Sequence, residues 1–548
     1  METSFLKLLE HSIKEFWHLP SLTDYEGAEH NYKDVARWIE KLHILFEKSG
    51  IKPGDKIALC SRNTSNWGIT FLATLTYGAI AVPILNEFNP NTIHHIINHS
   101  NAKLLFVGLS VWNNMEHENM PALEGVIAMT DYSVLVSHNL SLTETASQLE
   151  ELFNIKYPND LNIEDIHYRT EQPHELAMIN YTSGTTSSPK GVMLPYRSMW
   201  SNLRYALDQM GFTPGEKLVS ILTMAHMYGL AFEFIYPFAN GIHIYFLQKM
   251  PSPKILKEVF IHVRPHLIVA VPLIIEKIIK SRVFPKLEKF HIKLMLRMPI
   301  LKNKIRHQIK QQMLEAFGGR FKLLAVGGAA LNKEVEALLH SVKFPYTVGY
   351  GMTECGPAIA FDHWQTFRPT SCGKAVDRME IRIDSSDPLH QVGEILVKGM
   401  NVMDGYYNNS KASQAVLTPD GWLHTGDLGI VDQDGYIYIK GRSKSLILGP
   451  SGQNIYPEEI EDLLNAQPYI AESLVLERNG KLVALVYPDF EITKQNKITQ
   501  DSLSKIIHET RTHVNQQLPS YSQIARIEIH NKEFEKTPKR SIKRYLYH

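Results

Sequence analysis

"INYTSGTTSSPKGVML", residues 179–194, runs from strand-like apolar residues into a segment made almost wholly of Gly, Ser, Thr and Lys, then returns to apolar residues. Small residues let backbone N–H groups approach an anion closely, hydroxyls add donors, and Lys190 adds a full positive charge. The pattern reads as a phosphate-handling bend between two strands. It is not a Walker A loop, because Pro189 precedes Lys190 and Gly191 follows it, where that motif needs Gly-Lys-Ser/Thr. A flexible surface loop is the plain alternative. The hydroxyls crowded around one Gly-Thr-Thr and one Pro-Lys-Gly weigh against it.

On either side of this bend, short β-branched runs such as "KIALCSR", "AKLLFVG", "LIVAVP" and "KLLAVGG" alternate with longer helical stretches. Such alternation implies crossover connections and parallel sheets covered on both faces. Beyond about residue 390 the texture changes to short strands, "QVGEILVKG" and "GIVDQDGYIYIKGR", the latter turning at Asp434-Gly435. A small antiparallel sheet or barrel is expected there. After Arg442, "NIYPEEIEDLLNA" reads as a helix entered through Pro457, and "ESLVLERNGKLVALVYP" as a hairpin around Asn479-Gly480. A boundary near residue 442 leaves a piece of sensible size for a separate C-terminal domain.

The 548 residues carry 57 Lys/Arg against 57 Asp/Glu, a balance that argues against a general nucleic-acid binder. Three cysteines, Cys60, Cys355 and Cys372, lack CxxC spacing and fit a reducing compartment better than a disulfide framework or zinc site. The opening "METSFLKLLEHSIKEFW" mixes acids into an amphipathic pattern without the apolar core of a secretory signal. The longest apolar stretch, residues 67–85, contains three threonines, two glycines and a proline. It reads as a buried helix running into a buried strand rather than a membrane span. A cytoplasmic location is expected. Residues 277–313 hold eleven Lys/Arg and one acid, interleaved with apolar residues and broken by Pro285 and Pro299. A solvated helical face is the favoured reading, with transient contact at the inner face of a membrane as the alternative.

The bend "YTSGTTSSPKGV" resembles the signature loop of the adenylate-forming superfamily, which includes acyl-CoA synthetases, luciferases and peptide-synthetase adenylation domains. One departure is Ser187, where the family usually has Gly. Four further stretches resemble family motifs in the family's order: "AVGGAAL" (325–331), "VGYGMTECGP" (348–357), "GWLHTGDLG" (421–429) and "GRSKSLILGPSGQNIYPEEIE" (441–461). The last is most like the version in long-chain fatty acid–CoA ligases. The resemblance implies an α/β protein with a large N-terminal domain (1–441) of two parallel-type αβα sheets plus a small β-barrel. A hinge at 442–445 and a small, mobile α+β C-terminal lid (446–548) would follow. It also implies ATP, Mg²⁺ and coenzyme A as co-substrates and cofactor, and a fatty acid as the acceptor of AMP.

The same resemblance assigns roles. Thr182, Ser183, Gly184, Thr185, Thr186 and Lys190 would cradle phosphates, and Glu354 with Thr182 would hold Mg²⁺ through hard oxygen donors. Gly327, Gly328 and Ala329 would lie along adenine and the acid. Tyr350 would stack on the base beside Gly351, and Thr353 would touch the α-phosphate. Asp427 would accept both ribose hydroxyls and Arg442 would donate to ribose or phosphate. His226 and Gly229 match a His-x-x-Gly at the acyl tunnel, Lys444 falls at the hinge, and Gly452 lies on the coenzyme A side.

The tail departs from the family. Its usual Thr-Pro-x-x-Lys places a lysine that stabilises charge during adenylation; aligning on Thr537-Pro538 puts Ser541 there. Serine donates one hydrogen bond but carries no charge. Lys539 or Lys543, two positions away, would substitute if the segment is extended. The competing expectations are a fatty acyl-AMP ligase that delivers to a carrier protein, and an ATP- and lipid-binding protein with impaired catalysis.

Overall fold

The computed structural model describes residues 4–182, 189–249, 251–284, 299–448, 453–537 and 541–547. Ser183, Gly184, Thr185, Thr186, Gly452 and Lys539, singled out above, lie outside these residues, as does the middle of the basic segment.

The continuous apolar runs are buried parallel strands. In one sheet the strands lie in the order Tyr346–Val348, Leu323–Val326, Leu267–Ala270, Lys217–Ser220, His243–Phe246, Pro20–Asp24 and Glu29–Asn31. All pair in parallel except the last, which folds back antiparallel. The helices Pro253–Val263 and Lys333–Ser341 are crossovers between its strands. A second, eight-stranded sheet centres on the parallel strands Leu104–Val107, Lys56–Cys60, Ile80–Pro83 and Leu176–Thr182. Its order continues antiparallel through Lys190–Pro195 to Gly405–Tyr406. Strands such as "LLFV" and "LIVA" are buried at every position, as sheets covered on both faces require.

The long apolar stretch forms the helix Ser65–Tyr77 followed by the strand Ile80–Pro83. The Thr64 side chain accepts from the Trp67 N–H to start the helix, and Gly78 ends it in the left-handed region at φ 93°. Among the described residues, no helix is long and apolar enough to cross a membrane. The second half of the basic segment lies on the helix Pro299–Ala316.

Antiparallel pairing begins earlier than residue 390. Tyr350–Gly351, Ala358–Phe361 and Lys374–Ala375 form a three-stranded sheet, and Met379–Asp384 is already the edge of a four-stranded one with Gly393–Gly399, Leu423–Val431 and Ile437–Arg442. Charged residues at the open positions of "MEIRID" make this edge read weakly as a strand. Backbone bonds from Cys372 N–H to the Ile437 carbonyl and from Ile437 N–H to the Gly373 carbonyl link the two sheets. Beyond them, the helix Pro457–Asn465 and a hairpin of Ile470–Arg478 and Lys481–Pro488 form as the sequence predicts. The hairpin turns through Asn479 and Gly480 at φ 54° and 70°, both on the positive side that a type I′ turn needs. Arg526–Ile529 adds a parallel third strand. A large N-terminal domain is thus followed by a smaller C-terminal one.

Candidate active site

The carboxyl ends of parallel strands from both sheets face one cleft of about 2310 Å³. Gly327 and Gly328 follow Leu323–Val326, Gly349 and Tyr350 follow Tyr346–Val348, and Val271 follows Leu267–Ala270. From the other sheet come Asn63, Leu85 and Thr182, each at or just after a strand's end. Strand ends in parallel sheets are where ligands bind, because connecting segments there diverge and leave a crevice. The C-terminal domain closes the far side with Glu458, Glu461 and Ser541.

Asp427 lies on Leu423–Val431, whose alternation puts Leu423, Thr425 and Asp427 on the buried face. Its Oδ2 accepts from the Tyr350 hydroxyl at 2.7 Å, and its Oδ1 is 3.0 Å from Arg442 Nε. Arg442 is its direct cross-strand partner. Burial raises the Asp427 carboxyl above its ordinary range, opposed by the Arg442 charge and the Tyr350 hydrogen bond. Tyr350 itself is buried and held well above the usual tyrosine value, chiefly by burial and then by Asp427.

Thr182 pairs with Lys190 across the mouth of the bend, so both face the cleft from adjacent strands. Glu354 stands on a one-turn 3₁₀ segment, Thr353–Cys355. Its Oε1 accepts from the Tyr406 hydroxyl at 2.9 Å, while Lys190 Nζ lies 4.9 Å from the Tyr406 ring centre. Tyr406 therefore stands between the carboxylate and the lysine, and burial followed by Glu354 raises its phenol above the ordinary value. Sequence reading did not single it out. Its only signal is the pair Gly405-Tyr406 in "MDGYYNN", too short to read as a strand.

Gly327, Gly328, Ala329, Gly351, Thr353 and His226 also line the cleft. A Cβ on Gly327 would come within 2.9 Å of the Tyr228 ring, so only glycine lets that aromatic wall approach the strand end. Gly229 lies outside the lining and packs against the backbone instead, 2.7 Å from the Thr223 carbonyl for an added Cβ. Ala206, Met210, Phe232 and Phe361 supply an apolar part of the wall.

In the tail, an antiparallel bridge joins Lys536 to Ile542, and Thr537 N–H donates to the Ser541 carbonyl. Ser541 faces the cleft. Lys543 does not: it lies 3.4 Å from Glu535, and the cleft lining passes from Ile542 to Arg544. The Lys543 N–H also donates to the Glu535 carbonyl at 2.8 Å, so residues 541–543 form one side of a short ladder, and it is the Glu535 carboxylate that holds the Lys543 side chain away from the cleft. Arg544 pairs with Glu461 and stands 3.6 Å from Glu458. Burial pushes Glu461 up to about 7 against the pull of Arg544. Lys444 also lines the cleft, on the exposed turn Ser443–Ser445.

Two family models match the chain: one for an AMP-binding enzyme over residues 9–407 and one for an AMP-binding enzyme C-terminal domain over 444–547. The chain is 26% identical to the long-chain-fatty-acid–CoA ligase FadD15 of Mycobacterium bovis over 81% of its own length and 74% of that protein. It is also 26% identical to 4-coumarate–CoA ligase 1 of Arabidopsis thaliana, covering 90% and 85% respectively. Among solved structures, ATP-bound MatB from Rhodopseudomonas palustris superposes with a TM-score of 0.77 at 20% identity, covering 100% of this chain and 98% of that one. At that identity the match shows a shared fold.

Proposed function

This chain belongs to the AMP-binding enzyme family, and on that premise we propose that it is an acid–thiol ligase acting on a fatty acid. A carboxylate oxygen of the acid attacks the α-phosphorus of ATP, and pyrophosphate leaves with the electron pair of the cleaved P–O bond. The thiol of coenzyme A then loses its proton and attacks the acyl carbon of the mixed anhydride, expelling AMP. The difficulty lies in gathering anions that repel one another, so the protein's work is positioning and charge neutralisation.

The observation that carries this reading is the Tyr350–Asp427–Arg442 cluster opening into the same cleft as Thr182, Lys190 and Glu354. A carboxylate with paired acceptors suits vicinal ribose hydroxyls, which would displace the Tyr350 hydroxyl and Arg442 from Asp427. Lys190 and the bend that it closes would neutralise the phosphates. Glu354 and Thr182 offer the hard oxygens that Mg²⁺ prefers, and few protein ligands suffice for an ion that keeps several waters and phosphate oxygens. Held there, Mg²⁺ would withdraw charge from the phosphates. His226, Ala206, Met210 and Phe232 would wall the acid. Residues 1–441 would form the adenylating body, 442–445 the hinge and 446–548 the lid that turns to admit the thiol.

Acids of two to eighteen carbons should be compared by ATP–pyrophosphate exchange, then by thioester formation with coenzyme A and with a phosphopantetheinylated carrier protein. The proposal requires exchange that grows with chain length and thioester formation on coenzyme A. Transfer to the carrier alone replaces it with an acyl-AMP ligase, and absent exchange removes it.

A second reading is favoured by one observation: the tail presents Ser541 to the cleft while Lys543 pairs with Glu535 and Arg544 with Glu461. Binding with impaired turnover fits that arrangement. It predicts that Ser541→Lys raises acid-dependent exchange at least tenfold. An unchanged rate in a robustly active natural protein sinks it.

A further inference from the structure

Between the strand Lys217–Ser220 and the short helix Met227–Gly229, residues 221–226 form a connecting loop that brings Ile221, Leu222, Thr223 and His226 into the cleft wall. Loops of this kind are ordinarily held by their own turns. This one has a turn of its own, the His226 N–H donating to the Thr223 carbonyl at 3.0 Å, and is otherwise held from outside by three buried polar side chains. Glu233 is fully buried on the π-helical turn Leu230–Ile235. Its Oε2 accepts from the Ile221 N–H at 3.0 Å, the Leu222 N–H at 2.9 Å and the Ser220 hydroxyl at 3.0 Å. Asn63, after a strand of the second sheet, donates to the Leu222 carbonyl at 2.6 Å and to Ser220 Oγ at 3.0 Å, and accepts from Met224 N–H at 2.8 Å. Asn180 donates to the Ala225 carbonyl at 3.0 Å.

Asn180 sits on Leu176–Thr182, two residues before the strand's end at the phosphate bend. One hydrogen bond therefore ties the backbone that leads into the nucleotide end of the cleft to the backbone that carries His226 at the other end. A carboxylate buried without a compensating cation is costly, and a π-turn is an uncommon way to aim it. Here the carboxylate satisfies two backbone N–H groups of a loop that has no strand to pair with.

We propose that Glu233, with Asn63 and Asn180, is a positioning residue that fixes the 221–226 loop so that the bound acid meets the nucleotide in register. This rests on the adenylating function proposed above. The loop touches the acid's end of the site, so loosening it should weaken an acyl-adenylate while leaving the nucleotide's own contacts intact.

Calorimetry on the full chain with AMP and with a dodecanoyl-sulfamoyl adenosine, a stable stand-in for the acyl-adenylate, tests this without depending on turnover. Glu233→Leu removes the acceptor from Ile221 and Leu222. It is expected to weaken the analogue at least tenfold and AMP by less than twofold. Glu233→Gln keeps one acceptor oxygen and should restore analogue affinity to within threefold of the natural chain. Should Glu233→Leu fail to fold, Asn180→Leu, which severs only the Ala225 tie, must show the same selective loss. Equal affinities in the folded variants overturn the inference, as does a parallel loss of AMP and analogue. If the natural chain binds neither ligand, it is the adenylating function that falls.

Discussion

Asp427 faces opposite demands in the free and occupied cleft. Burial disfavours its charge, while Arg442, whose side chain is 69% exposed, favours it. Replacing it with Asn removes the disfavoured charge but also one acceptor for the ribose. Asp427→Asn is therefore expected to raise the Kd for ATP tenfold or more, about 1.4 kcal/mol, with no fall in the thermal midpoint, as titration calorimetry and thermal unfolding would read. A fall in both would make Asp427 a structural residue. Tyr406 makes a different prediction, because its hydroxyl orients Glu354 while its ring faces Lys190. Tyr406→Phe keeps the ring and loses only the hydroxyl. The Mg²⁺ concentration for half-maximal pyrophosphate exchange should shift several-fold, with the KM for the acid unchanged.

At the scale of elements, a single buried carboxylate on the π-turn Leu230–Ile235 leaves a mark on stability. Burial pushes Glu233 up to about 8 from an ordinary 4.5, with Leu222, Ile221 and Ser220 pulling the other way. The folded state then holds its proton more tightly than the unfolded chain. Its contribution to stability is full below about pH 4.5 and is lost as pH rises toward 8. The thermal midpoint should decline over that window, and Glu233→Gln should flatten part of the slope. Glu461 and Asp462, raised to about 7 and about 6, act in the same direction, so the slope should not vanish. An unaltered slope in the variant would show that Glu233 is ionised throughout.

At the scale of the molecule, the cleft is lined by residues from both domains, and on the boundary proposed above the chain would cross between them at the turn Ser443–Ser445. Proline at residue 444 would fix φ there and resist a change of backbone conformation. Lys444→Pro is expected to lower thioester formation at least tenfold while sparing acid-dependent pyrophosphate exchange. Equal loss of both half-reactions would place residue 444 in the adenylating machinery instead of the hinge.

The sequence by itself determined the architecture and the chemistry's vocabulary. Continuous apolar runs between turn residues read as buried strands, Asn479-Gly480 reads as a hairpin turn, and a hydroxyl-rich bend ending in Lys190 reads as a cradle for anions. These are local consequences of side-chain type and spacing. What only the tertiary structure decided depends on residues far apart in the chain. The Tyr406 hydroxyl reaches Glu354 from 52 residues away, and Asn63 and Glu233 meet at Ser220 from opposite sides. Lys543 turns to Glu535 because the tail folds back on itself. Spacing along the chain carries none of this, because a side chain's partner is set by which strand ends the sheets bring to one crevice.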